Sequence, residues 1–235
     1  YAPGIGNYVE FHLQFVGRSV EYQGKDNGLI GTLAVRIELK KNGEIVRSDA
    51  YQLMTPFMKD SIVEDFYDIK RFTLEPGEYS LFIELQDLNS SAEPLSVSHL
   101  ILVEDFSDAI SLSDIEVAEI ATLGTEDSPF YKSGYTIIPR LSTFYPQELS
   151  TLPVYFEVYN SNELEDSIFA IKQTVVDAKT GLELEELTQF SRHSSSAVVP
   201  ILRKINLENV PTGKYIMSFT IYNRNMIELS SQSYI

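Results

Sequence analysis

Cysteine and tryptophan are both absent from this sequence of 235 residues, and histidine occurs only three times. Without cysteine there is no disulfide, no thiolate nucleophile and no Cys-type zinc site. The absence does not fix a reducing compartment, because an exported domain of ordinary size folds without bridges. Basic side chains are scarce as well: 18 Lys and Arg stand against 34 Asp and Glu, a formal net charge of −16. Phosphate backbones and anionic bilayers repel such a chain, which argues against nucleic acid and anionic membrane surfaces as partners. The charge is read first as a source of solubility. No apolar run approaches the ~18 residues that span a bilayer, so no membrane insertion is expected.

One phrase occurs twice in what is there. Arg71-Phe72-Thr73-Leu74-Glu75-Pro76-Gly77-Glu78-Tyr79 has a counterpart in Lys204-Ile205-Asn206-Leu207 leading to Pro211-Thr212-Gly213-Lys214-Tyr215. Each copy runs basic, apolar, polar, Leu, then a Pro/Gly turn, then Tyr opening an alternating run. A motif recurring once over so long an interval points to two copies of one fold rather than a solenoid. Pro presets one backbone angle at the turn and Gly supplies the positive angle of a tight reversal. A Tyr just past such a turn matches the tyrosine corner of immunoglobulin-like sandwiches, whose phenol oxygen bonds to the backbone upstream. The alternative is a half-buried strand aromatic.

Period-two alternation predicts strands along most of the chain. Val9, Phe11, Leu13 and Phe15 share one face of 8–16, and Leu33, Val35, Ile37 and Leu39 repeat the pattern. Asn42-Gly43 closes a hairpin into 44–53. The stretch 55–68 is expected to be an irregular crossover; Met58, Ile62 and Phe66 would allow a helical turn there. Strands over 71–74, 78–88 and 95–103 complete a first domain, 1–105. The second, 106–235, is expected to hold strands over 112–121, 134–141 and 152–160. A hairpin of 168–177 with 182–190 across Ala178-Lys179-Thr180-Gly181 follows, then strands over 197–207, 213–223 and 226–235. Short strands separated by turn signals, with no sustained helical period, predict an all-β chain of two tandem immunoglobulin/fibronectin-like antiparallel β-sandwiches.

Several stretches resemble the amino-terminal region of a family of exported Bacteroidetes proteins named for a Gly-Trp-x-Thr-Asp motif in a later domain. They are Tyr1-Ala2-Pro3-Gly4 with Tyr8-Val9-Glu10, Arg71-Phe72-Thr73-Leu74 with Pro76-Gly77-Glu78-Tyr79, Leu112-Ser113-Asp114-Ile115, and Val154-Tyr155-Phe156-Glu157-Val158-Tyr159-Asn160. The naming motif is absent, since the chain has no Trp. The resemblance implies an exported, periplasmic or cell-envelope protein of unassigned activity, in which β-sandwich modules precede a further carboxy-terminal part. It carries no functional residue across. A chain that starts at Tyr1 without Met also reads as a trimmed or processed product compatible with a removed export signal. Ser233-Tyr234-Ile235 stops within a strand pattern, so more chain is expected to follow.

Chemistry is sparse. His12 and His99 fall at the polar phase of strands. His193 lies in Ser191-Arg192-His193-Ser194-Ser195-Ser196, but neighbours in an extended loop are not expected to set an imidazole on a hydroxyl beside an oxyanion hole, and no Gly-x-Ser-x-Gly elbow exists. Carboxylates cluster at Asp60, Glu64, Asp65 and Asp68 and at Glu104, Asp105 and Asp108, without the spacing of a dedicated calcium loop. Two acids facing one sugar would serve a glycosidase, but alternation does not say which side chains converge. Tyr155 and Tyr159 read as exposed strand aromatics, either cross-strand packing partners or sugar platforms, and the lack of Trp weakens the second role. No Gly-rich loop opens a helix, so nucleotide has no support. No catalytic, cofactor-binding or metal-binding residue is assigned, and no cofactor. The expectation is a non-catalytic interaction or spacer region whose partner is another protein or a carboxy-terminal part of the same chain. The alternative is a glycan-binding or accessory module of a surface polysaccharide system.

Overall fold

The computed structural model describes residues 1–59, 63–146 and 148–235. The chain forms two compact units, one of Asn7–Asp105 and one of Phe106–Ile235 together with Tyr1–Gly6. Both are antiparallel β-sandwiches, and the fold is all-β.

The amino-terminal unit contains β1 (Tyr8–Phe15), β2 (Gln23–Lys25), β3 (Gly28–Ile30), β4 (Thr32–Lys41), β5 (Glu44–Met54), β6 (Phe66–Thr73), β7 (Gly77–Asp87) and β8 (Leu95–Val103). A four-stranded sheet in the order β5-β4-β7-β8 packs against the two-stranded β1-β6 sheet, with β2-β3 as a separate hairpin. In β4, Leu33, Val35, Ile37 and Leu39 are at most 2 % exposed. Burying each is worth roughly 1.5–3 kcal/mol, and the alternation leaves Arg36, Glu38 and Lys40 to pair on the wet face. Asn42 and Gly43 have φ of 54° and 86°, the paired positive angles of a two-residue hairpin turn.

The carboxy-terminal unit contains β9 (Ser111–Leu112), β10 (Glu116–Leu123), β11 (Tyr131–Lys132), β12 (Tyr135–Pro139), β13 (Thr151–Tyr159), β14 (Ile168–Asp177), β15 (Gln189–Ser194), β16 (Val198–Asn206), β17 (Tyr215–Tyr222) and β18 (Glu228–Tyr234). One sheet runs β15-β14-β17-β18; the other runs β11-β12-β10-β13-β16, with β9 also on β13. Phe156 and Phe219, from opposite sheets, meet at 4.4 Å in the core. The order β5-β4-β7-β8 is repeated as β15-β14-β17-β18, and the pair β1-β6 as β13-β16. The repeated phrase therefore occupies the same topological place twice.

Both tyrosines form corners. Tyr79 Oη donates to Glu75 O at 2.7 Å, and Tyr215 Oη donates to Pro211 O at 2.8 Å, each four residues upstream. The two glycines act differently. Gly77 has φ of 138°, whereas Gly213 lies outside the positive-φ set and instead leaves room for the Tyr215 ring, which a Cβ would meet at 3.2 Å. Only the first glycine supplies the angle expected of both.

Four further expectations change. Residues 1–6 belong with the carboxy-terminal unit, not with an amino-terminal domain of 1–105, because the Tyr1 ring stands edge-on to Tyr159 at 5.5 Å. The strand expected over 112–121 is broken after Leu112. Ser113 splices the gap, its Oγ accepting from Glu157 N and its N donating to Glu157 O, both 2.9 Å. The partner of β14 is 189–194 rather than 182–190: past Gly181 the chain makes one bridge and a 3-10 turn, Glu185–Leu187, that buries Leu187, whose carbonyl accepts from Gln173 Nε2. In the 55–68 crossover, Phe66 opens β6, and Asp60 and Ile62 lie outside the described residues.

Replacing Tyr79 by Phe is expected to cost about 1 kcal/mol, because the ring is buried and the Glu75 carbonyl loses its donor. Tyr215→Phe, at a solvated bond, should cost about half of that. Calorimetry on both variants checks the order; equal losses or none would contradict it.

Candidate functional site

The feature that stands out chemically is the edge strand β8. Its register with β7 places Leu95, Val97, His99, Ile101 and Val103 on the core-facing side, opposite Leu85, Ile83, Leu81, Tyr79 and Gly77. Ser96, Ser98, Leu100 and Leu102 take the outer side. Ile101 and Val103 reach the core, but Leu95 is 72 % exposed and Val97 58 %, although both point inward. Leu100 and Leu102 are exposed on the other face. An edge with unpaired backbone groups is a template for another strand, and proteins usually blunt it with charge or proline. Other edges here follow that practice: β5 carries Arg47 and Asp49, β15 carries Arg192, and β16 carries Pro200, Arg203 and Lys204. The nine residues of β8 include no Asp, Glu, Lys, Arg or Pro. Its counterpart β18 reads Glu-Leu-Ser-Ser-Gln-Ser-Tyr, so the topological position does not require apolar residues.

A cavity of about 340 Å³ opens beside the start of β8, lined by Phe15, Val20, Leu33, Leu85 and Leu95 with Asp87 and Glu93. A second, of about 290 Å³, lies between the sheets of the carboxy-terminal unit beside Leu152, Ile205, Tyr215 and Met217. There Tyr145 Oη and Tyr234 Oη are 3.1 Å apart, and burial followed by that bond pushes the Tyr145 phenol well above its ordinary value.

Two polar clusters occupy the carboxy-terminal unit. Glu157 is 5 % exposed and accepts from Tyr155 Oη (2.6 Å), Ser133 Oγ (2.6 Å) and Tyr159 Oη (2.9 Å). Charge-assisted bonds from three hydroxyls occupy the carboxylate and fasten β13 to the 133–134 turn. Tyr155 and Tyr159 are buried rather than exposed, so neither offers a sugar platform. Strand alternation puts these three residues on one face but does not say that this face is covered.

In the other cluster, His193 Nε2 lies 2.8 Å from Ser191 Oγ, and Arg203 Nη2 donates to the same hydroxyl. The Ser191–Ser196 segment is thus largely strand, and residues two apart on it do bring imidazole to hydroxyl, contrary to expectation. Burial and then the Arg203 charge lower the His193 pKa from its ordinary 6.5. A weakened base beside a hydroxyl already accepting from a guanidinium makes a clasp between the two sheets, with His193 stacked on Phe169.

The remaining candidates lie apart. His12 Nε2 meets Glu10 Oε1 at 2.7 Å, and His99 sits exposed on β8, at its core-facing phase rather than the polar one. Asp65 accepts from Gly17 N and Gln14 Nε2, both 3.0 Å, and Asp68 from Tyr51 Oη at 2.5 Å. Among the described residues, neither the 64–68 nor the 104–108 carboxylates bring three ligand oxygens together.

No protein-family model and no curated protein matches the chain. Among solved structures, Bacteroides uniformis beta-glucuronidase 2 is similar at 13 % identity and a TM-score of 0.34, over 97 % of this chain and 26 % of that one. The chicken CNTN1 FN1-FN3 domains are similar at 10 % identity and a TM-score of 0.25, over 92 % and 66 %. The chain thus spans about a quarter of the glucuronidase chain, and likenesses this weak add nothing to the fold that strand pairing defines.

His193 should titrate below 6.5. The unfolded chain then takes up the proton first, so stability from this group is full above 6.5 and falls as pH drops toward the folded value. NMR titration of the ring, with His193→Asn flattening the acid-side decline in melting temperature, checks this; a midpoint at or above 6.5 would contradict it.

Proposed function

We propose that this chain is a non-catalytic tandem β-sandwich module that holds another polypeptide through the β8 edge, as part of an exported, cell-envelope protein. The observation that carries the reading is β8: a nine-residue edge strand with aliphatic side chains exposed on both faces and no charge or proline to deter pairing. Strand addition suits it, since backbone bonds along an edge supply affinity and alternate side chains supply selectivity. The two polar clusters are consumed in holding strands together, which fits a scaffold better than a reaction centre. The envelope setting rests on the sequence resemblance.

Capture of partners from envelope extract tests the reading when edges are compared. Leu100→Lys with Leu102→Lys should abolish capture with little change in melting temperature, whereas Ala50→Lys on the opposite edge strand β5 should leave it intact. Equal capture by all three proteins, or substrate turnover lost on one point substitution, would overturn it.

A further inference from the structure

The charge around β8 specifies its occupant further. No Lys or Arg occurs between Arg71 and Lys132, so β7, β8 and the loop joining them carry neither, and their one histidine is His99. Exposed carboxylates stand at both ends of the edge: Glu93 just before β8, and Glu104 just after it with Glu78 opposite Leu102. The cations of neighbouring β4 are engaged elsewhere. Arg36 pairs with Glu38 and Glu84, Lys40 pairs with Glu38, and Lys41 donates to Pro76 O and lies over the Tyr79 ring.

Between these acidic ends, the inward side chains Leu95 and Val97 are exposed, and the 340 Å³ cavity that Leu95 helps to line has Glu93 in its wall. An added strand would lay alternate side chains over Leu95 and Val97 and could fill the cavity with one of them. The other side chains would meet Leu100 and Leu102. Its ends would sit beside carboxylates.

A second copy of this chain fits poorly. Antiparallel pairing of β8 with itself about His99 sets Glu93 of each copy beside Glu104 and Asp105 of the other, at both ends. Like charges directly opposed across strands are destabilising, and each chain already carries −16.

We propose that the occupant of β8 is an extended segment of a different polypeptide, with aliphatic side chains alternating at its centre and Lys or Arg at its ends. This rests on the edge reading above and adds the partner's chemistry to it.

Two synthetic probes separate the two. One is an extended peptide of alternating valine and threonine bounded by lysine pairs; the other has glutamate pairs instead. Fluorescence anisotropy with the intact chain should give binding at least about tenfold tighter for the lysine-bounded probe, an advantage that shrinks as salt rises from about 50 to about 300 mM. Combined Glu78→Gln, Glu93→Gln and Glu104→Gln should erase the preference without abolishing binding, and Val97→Lys should abolish binding of both. Equal binding of the two probes, or none of either while the β8 lysine variant still loses partner capture, overturns the basic-ended partner and leaves the edge reading standing. Absence of probe binding with capture also unaffected overturns both. A dimer in sedimentation that Val97→Lys dissociates would overturn the choice of occupant.

Discussion

A two-stranded sheet cannot cover the inner face of a four-stranded one. In the amino-terminal unit β1 and β6 bury the middle of the β5-β4-β7-β8 sheet, where Leu33, Val35, Ile37, Leu39 and Leu81 form the core. At β8 the cover runs out. Ile101 and Val103 still find apolar neighbours, whereas Leu95 and Val97 point inward and meet solvent. Aliphatic surface exposed to water is unfavourable, and a backbone edge whose donors and acceptors are open to pairing lets one added strand cover it.

The carboxy-terminal unit shows the alternative solution in the same topology. Its β13-β16 pair is extended by β9, β10, β12 and β11, and its last strand, β18, is largely serine and glutamine with Leu229 and Tyr234 turned to the core. Its polar residues are spent internally: Glu157 binds three hydroxyls, and Ser191, His193 and Arg203 join opposite sheets. One copy of the duplicated unit is closed chemically, and the other is left open along one edge.

Much of this was legible in the sequence where a local rule decides. Alternation in β1 and β4, the Asn42-Gly43 turn and the repeated Pro/Gly-Tyr phrase each rest on a residue's own geometry, and each led to the right element. Gly213, which makes room for the Tyr215 ring instead of turning the chain, is a local exception; the other failures depended on distant partners. The break at Ser113 needs the Glu157 backbone, the turn at Glu185–Leu187 needs a core site for Leu187, and the burial of Tyr155 and Tyr159 needs Tyr135 against the first and Tyr1 and Phe106 against the second. The uncharged run of β8 was visible as a strand, but alternation does not tell an edge from a centre. That distinction comes only from the order of strands in the sheet.

Amide hydrogen exchange on the isolated chain tests the open edge most directly. In an unpaired edge strand the amides facing β7 are bonded and the alternate ones face solvent. Alternate amides of β8 should therefore exchange nearly as fast as loop amides, while β4, bonded on both sides, is protected throughout. Uniform protection along Leu95–Val103, equal to that of β4, would mean that the edge is already occupied and would contradict the account.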